Sequence, residues 1–154
     1  MGLIEDLKPG PIALDTAIFI YFIEEDKRSL PLVKPVFGAI DKGDLQAVTS
    51  GLTLLEVLVV PYRTGNFSLA DRYEALLTRS RGLRLIDIDR PLLRGAAQLR
   101  AAFDLKSPDA IQIAAALVAQ CSAFLTNDRR IPSVPGLRVF QLKNYLTPRK
   151  TRQG

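Results

Sequence analysis

The side chains in this sequence that could carry chemistry are acids. Asp15 is the sole acid within the apolar residues 12–23, and Glu56 the sole acid within residues 52–60. Asp109 lies in Ser107-Pro108-Asp109-Ala110, and Asp128 closes Thr126-Asn127-Asp128. Histidine is absent from all 154 residues, and there is one cysteine, Cys121. Ser-His-Asp and Cys-His mechanisms are therefore excluded, as are a nuclease working through paired histidines and a Cys/His zinc site. Neither G-x-G-x-x-G nor a Walker-A pattern occurs, so the common nucleotide cradles are missing too. Carboxylate chemistry remains, with or without a hard cation.

Each acid also has a plain structural reading. Asp15 and Asp109 suit the first turn of a helix, where the dipole favours negative charge. Thr53-x-x-Glu56 matches a capping box, in which Glu56 would reach back to the Thr53 amide. Asp128 could be an ordinary turn aspartate. Four such coincidences are needed at once, and the elements around them decide whether they stay separate.

Residues 12–14 form a short apolar run after Gly10-Pro11 and read as a buried strand, with Thr16 placed to cap a helix reaching about Glu24. Leu32, Val36, Phe37 and Ile40 fall at helical spacing before Gly43. Residues 46–50 read as a second strand, followed by helices from about Thr53 to Arg63 and over 68–79. Residues 83–88 alternate apolar and polar side chains, the strand period. Asp89 is placed to cap a helix from near Pro91 to about Phe103, and Ser107-Pro108 opens the next, since proline suits the first helical position. Residues 123–126 and 138–142 read as the last strands. No repeat or linker divides the chain. The expectation is one domain over residues 1–146, with a frayed basic tail that begins near Lys143 and occupies residues 147–154.

Alternating strands and helices with short connections imply an α/β fold with a mainly parallel sheet covered on both faces. Ligands of such sheets bind beyond the carboxyl ends of the strands. Two of the acids follow strands and two open helices, and all four positions gather on that edge. Four neighbouring carboxylates repel one another unless a cation sits among them. An all-oxygen donor set favours Mg²⁺ or Mn²⁺ over zinc or copper. Such an ion can generate hydroxide and offset charge on a phosphodiester, so phosphoester hydrolysis is the natural chemistry.

The segments Ile12-Ala13-Leu14-Asp15-Thr16, Thr53-Leu54-Leu55-Glu56-Val57, Ser107-Pro108-Asp109-Ala110-Ile111-Gln112-Ile113-Ala114 and Phe124-Leu125-Thr126-Asn127-Asp128 resemble, in order, the four acidic motifs of the PIN-domain family. They span nearly the whole chain, and its size and the Thr-Asn-Asp form most resemble the VapC-type toxin ribonucleases. That resemblance implies a three-layer α/β/α fold, Mg²⁺ or Mn²⁺ as cofactor and cleavage of RNA. It further implies a homodimer and inhibition by a small cognate antitoxin. By the same analogy Asp15, Asp109 and Asp128 would hold the metal. Glu56 would share the site, as a ligand through water or by orienting the attacking water, with Thr16, Thr126 and Asn127 in support.

Net charge is +5 and the pI about 9.6, a modest bias toward polyanionic partners. Arg129-Arg130 either grip RNA phosphates or stand as solvated arginines. No run of about 20 apolar residues is present, so no membrane helix is expected. No signal peptide is visible. With a single cysteine, a reducing cytoplasm is the expected compartment. The competing reading is a catalytically silent PIN fold that binds RNA or a protein. A receiver domain is disfavoured because a single acid follows the first strand.

Overall fold

The computed structural model describes residues 2–146. The basic segment 147–154 lies outside the described residues. Five strands, β1 (Ile12–Leu14), β2 (Ala47–Ser50), β3 (Leu83–Ile86), β4 (Ala123–Thr126) and β5 (Arg138–Gln141), form one sheet. Its order is β3-β2-β1-β4-β5, and every pairing is parallel. The sheet expected to be mainly parallel is wholly so. Among the described residues there are seven α-helices, α1 (Leu3–Leu7) ahead of the first strand and α2 (Thr16–Ile23), α3 (Leu30–Asp41), α4 (Gly51–Arg63), α5 (Phe67–Arg79), α6 (Arg90–Ala102) and α7 (Ser107–Val118) between strands.

The three layers follow from the two-residue period of the strands. Ile12 and Leu14 of β1 join Leu125 of β4 and Ala47 of β2 in a core with α1 to α5, which includes Phe19, Val36, Tyr73 and Leu77. Ala13, Val48 and Phe124 point the other way, into a second core with Leu92 and Ala96 of α6 and Ile113 of α7. The three central strands are buried along their whole length, while β3 and β5 at the edges are partly exposed. This is why residues 12–14 and 123–126 read as continuous apolar runs.

The sheet order fixes where a site can form. From β1 the chain builds toward β2 and β3 on one side, then returns to build β4 and β5 on the other. The switch point is between β1 and β4, where Ile12, Ala13 and Leu14 lie opposite Ala123, Phe124 and Leu125. Connections leave those two strands in opposite directions and open a crevice at their carboxyl ends.

Two local expectations are corrected, and one element appears where none was expected or excluded. Residues preceding β1 form a helix, α1, anchored by the buried Leu3 and Leu7. Five residues are too few for a helical period to show. The expected fraying from Lys143 does not begin there: Leu142–Tyr145 is a 3₁₀ turn, and the Tyr145 hydroxyl donates to Asp6. The helix α4 starts at Gly51, two residues before Thr53, with Ser50 as its N-cap. The Thr53–Glu56 capping box therefore does not form.

Gly82, just before β3, marks a close approach. A Cβ there would lie 2.4 Å from the Ile40 carbonyl oxygen and 2.8 Å from Ile40 Cγ2. Gly82→Ala must push α3 off the sheet edge, at a cost of about 1–3 kcal/mol. A thermal melt should show a midpoint several degrees lower; an unchanged midpoint would mean this edge yields freely.

Candidate active site

The structure brings Asp15, Glu56, Asp109 and Asp128 to one cavity of about 440 Å³, which Tyr21, Lys106, Gln112, Asn127, Arg129 and Arg130 also line. Each acid arrives on a different element. Asp15 is the residue after β1, and its backbone N–H still bonds to the Leu125 carbonyl of β4. Its carboxylate caps α2, with Oδ1 accepting the Thr16 N–H at 2.9 Å. The helix is thus capped by Asp15 and not by Thr16 as expected. Either residue type caps well, and the register of the strand chose the first. Oδ2 accepts the Thr126 hydroxyl at 2.6 Å, and Thr126 Oγ1 in turn accepts the Asp128 N–H at 3.0 Å. One buried threonine therefore ties together the acids that follow β1 and β4.

Asn127 locks the loop after β4. Its amide nitrogen donates to the Tyr21 hydroxyl at 3.1 Å, and its oxygen accepts the Lys143 N–H at 3.1 Å. Asp128 is then closed on by its neighbour. Its Oδ1 accepts the Arg130 N–H at 2.9 Å and Arg130 Nε at 3.0 Å, and its Oδ2 accepts Arg130 Nη2 at 2.9 Å. Of the expected phosphate-binding pair, Arg130 is thus engaged with an acid, while Arg129 is exposed on the cavity rim.

Behind the acids lies a buried polar network, of which only Thr16 and Thr53 were given any role from sequence. Gln112 of α7, Thr49 and Ser50 of β2, and Thr16 and Thr53 are all buried. Counting protons fixes the direction of the bonds. Thr49 donates to the Leu14 carbonyl at 2.8 Å, so in its 2.7 Å contact with Thr53 the proton comes from Thr53. Thr16 donates to Glu56 Oε1 at 2.7 Å. The two protons of the Gln112 amide supply what is then missing, reaching Thr16 Oγ1 at 3.2 Å and Thr53 Oγ1 at 2.9 Å. Gln112 Oε1 accepts the Ser50 hydroxyl at 2.9 Å. Glu56 is exposed, yet one of its oxygens is held by a hydroxyl rooted in the core. A glutamine among Ala110, Ile113 and Ala114 on an apolar helix was the available signal, since a buried amide needs partners.

The electrostatics divide the acids. Burial pushes the Asp15 carboxyl above its ordinary value against the pull of its two hydrogen bonds, and Asp128 adds to the rise. Asp109 is raised by burial, then by Asp128 and Asp15, with a smaller push from Glu56. Asp128 is held below its ordinary value, chiefly by the Arg130 guanidinium. Asp109 takes part in none of the hydrogen bonds above, so Asp109→Asn is a clean test of the repulsion. A carboxyl raised in the folded state costs stability wherever it is ionised. Without metal, the variant should be more stable than wild type at pH 7, by less than about 1 kcal/mol because solvent screens this half-buried carboxyl. That gain should shrink to nothing below the ordinary carboxylate pKa, about 4. Melting curves at pH 7 and pH 3.5 check it; an equal shift at both would point to packing and not charge.

The donor set fits a hard divalent cation in kind: the ligands are oxygens, and added positive charge would relieve the repulsion at Asp15 and Asp109. Among the described residues, no three acids already stand as a formed cage. Two are engaged elsewhere, Asp128 by Arg130 and Glu56 by Thr16.

The PIN-domain family model matches residues 12–137, from the first residue of β1 to the residue before β5. The chain belongs to the PIN-domain family. No curated protein sequence matches this PIN domain. Solved structures share its fold at low identity. A toxin–antitoxin complex from Klebsiella pneumoniae is 22% identical, with a TM-score of 0.61 over 82% of this chain and 94% of that one. FitAcB from Neisseria gonorrhoeae is 18% identical, with a TM-score of 0.63 over 86% and 99%. VapC20 of Mycobacterium tuberculosis, described as a sarcin–ricin loop cleaving toxin, is 16% identical, with a TM-score of 0.60 over 73% and 86%.

Proposed function

We propose that this PIN domain is a divalent-metal-dependent endoribonuclease, the toxin of a toxin–antitoxin pair. The observation that carries the reading is the meeting of Asp15, Glu56, Asp109 and Asp128 in one cavity at the switch point of the sheet. Asp15, Asp109 and Asp128 would hold Mg²⁺ or Mn²⁺, with Glu56 sharing the site. Once bound, the ion supplies an activated water and offsets the charge developing on the phosphodiester.

The protein's own groups set the geometry. Thr126 and the start of α2 fix both oxygens of Asp15. Thr16 fixes Glu56 Oε1 and leaves Oε2 to accept a hydrogen bond from the attacking water. Lys106 and Arg129 place positive charge on the cavity rim, where it draws in a phosphate backbone. The toxin assignment is supported by the printed descriptions of the structural neighbours.

A protein partner has a candidate surface on α4, where Leu55, Val59, Val60 and Tyr62 are exposed beside Phe67 of α5. Contiguous apolar side chains of this kind mark interaction sites, and a second copy or an antitoxin would cover them. No described helix is long and apolar enough to cross a membrane. The proposed compartment is the cytoplasm, with the RNA.

One observation favours the silent binding module: Asp128 and Glu56 already have partners within the protein. Incubating a labelled single-stranded RNA pool with Mg²⁺, Mn²⁺ or EDTA separates the two. Cutting that stops in EDTA is the expected result. RNA retained but left whole with either ion would favour the binding module.

A further inference from the structure

Three features of the Arg130–Asp128 pair bear on the site. It is bidentate, with both Asp128 oxygens receiving guanidinium protons. It sits in the acid cavity, beside Asp15 and Asp109. And the Arg130 side chain is 67% exposed against 25% for Asp128, so the fork lies on the acid from the solvent side.

The fork is also not needed to hold the loop. The Asp128 N–H is held by Thr126, and its carbonyl accepts Gln141 Nε2 at 2.9 Å. Asp128 Oδ1 accepts the Arg130 backbone N–H, closing a tight turn without the side chain. Asn127 is pinned by Tyr21 and by the Lys143 N–H. The guanidinium can therefore leave while the turn stays. Because the Arg130 side chain faces solvent, water can take over the guanidinium's hydrogen bonds when the fork opens.

A cation shared by Asp15, Asp109 and Asp128 would compete with that fork. It needs an Asp128 oxygen that the guanidinium now occupies, and its charge would repel the guanidinium beside it. We propose that Arg130 is the exchangeable counter-ion of Asp128: it closes on the carboxylate when no cation is there and is released into the cavity when a divalent cation takes that carboxylate. Released, its two parallel N–H groups suit the non-bridging oxygens of a phosphodiester. Cation and phosphate then favour each other's binding, and thermodynamic linkage makes the coupling equal in both directions. Arg130 is on this view a positioning group for Asp128 and a phosphate ligand in turn. The inference rests on reading the acids as a metal centre.

Two measurements test it without using activity. The first is the Mn²⁺ dissociation constant of the full chain, read from the electron paramagnetic resonance of the free ion. Arg130→Ala should bind Mn²⁺ about fivefold more tightly than wild type, the upper end of what an exposed pair withholds. The second needs no variant: the Arg130 Nε–H signal in the wild-type protein should be protected from solvent exchange without metal and lose that protection as Mg²⁺ is added. Equal or weaker Mn²⁺ binding by Arg130→Ala, or a signal that stays protected at saturating Mg²⁺, overturns the exchange alone. No saturable Mn²⁺ binding by either protein overturns the metal centre, and the exchange with it.

Discussion

Under the proposed function, Asp15→Asn should lower metal-supported RNA cleavage by about a thousandfold or more, equivalent to about 4 kcal/mol of transition-state stabilisation. The expectation comes from how fully Asp15 is committed to one position. Its two oxygens accept from the Thr16 N–H and the Thr126 hydroxyl, and its backbone completes the bonding between β1 and β4. A side chain held by two hydrogen bonds on a backbone fixed by the sheet cannot be replaced by a neighbour swinging in. Asparagine keeps the shape and one acceptor but brings no negative charge to a cation. The variant should remain folded, because the acid it replaces is raised by burial and costs stability when ionised. Lost cleavage with an unchanged or higher melting midpoint would therefore support the assignment. Cleavage within about tenfold of wild type would place the chemistry elsewhere.

The second large effect belongs to Gln112, which hydrogen-bonds to none of the four acids. Gln112→Leu removes two donors and an acceptor from the buried network, leaving Thr16 Oγ1, Thr53 Oγ1 and the Ser50 hydroxyl short of partners. Each buried group left unsatisfied costs about 1–3 kcal/mol. Since water can relieve part of this, the sum should be about 2–4 kcal/mol, or a fall of roughly 5–15 °C in melting midpoint for a chain of this size. Activity should fall as well, through kcat more than KM, because the Thr16 hydroxyl that holds Glu56 loses its donor. A leucine variant as stable as wild type would mean that the amide's partners are satisfied without it. One that is destabilised but fully active when folded would uncouple the network from Glu56.

What could be read in the sequence is tied to long-range burial. Residues 12–14 and 123–126 coincide with β1 and β4 because strands buried on both faces must be apolar throughout. Asp89 caps α6 as expected, its side chain accepting the Leu92 N–H at 2.9 Å, and Ser107-Pro108 opens α7. The four acids meet because a parallel sheet delivers every strand end to one edge, and topology alone foresees that. Sequence patterns did not decide between adjacent groups of similar chemistry. Asp15 and Thr16 can both cap a helix. Thr53-x-x-Glu56 has the letters of a capping box, yet the helix begins at Gly51 and the two side chains serve the polar network instead. Arg130 folding back over two residues onto Asp128 leaves no periodic signature. Nor does Gln112, whose partners are 59 to 96 residues away.

The proposed chemistry requires that these carboxylates form one cation site. Crystals of the protein soaked in Mn²⁺ and measured at a wavelength where manganese scatters anomalously would test that most directly. The expected result is a peak in contact with Asp15, Asp109 and Asp128 at roughly 2.0–2.4 Å, with the Arg130 fork off Asp128. Manganese bound away from these side chains, or no peak at saturating Mn²⁺ with Arg130 still closed on Asp128, would contradict it.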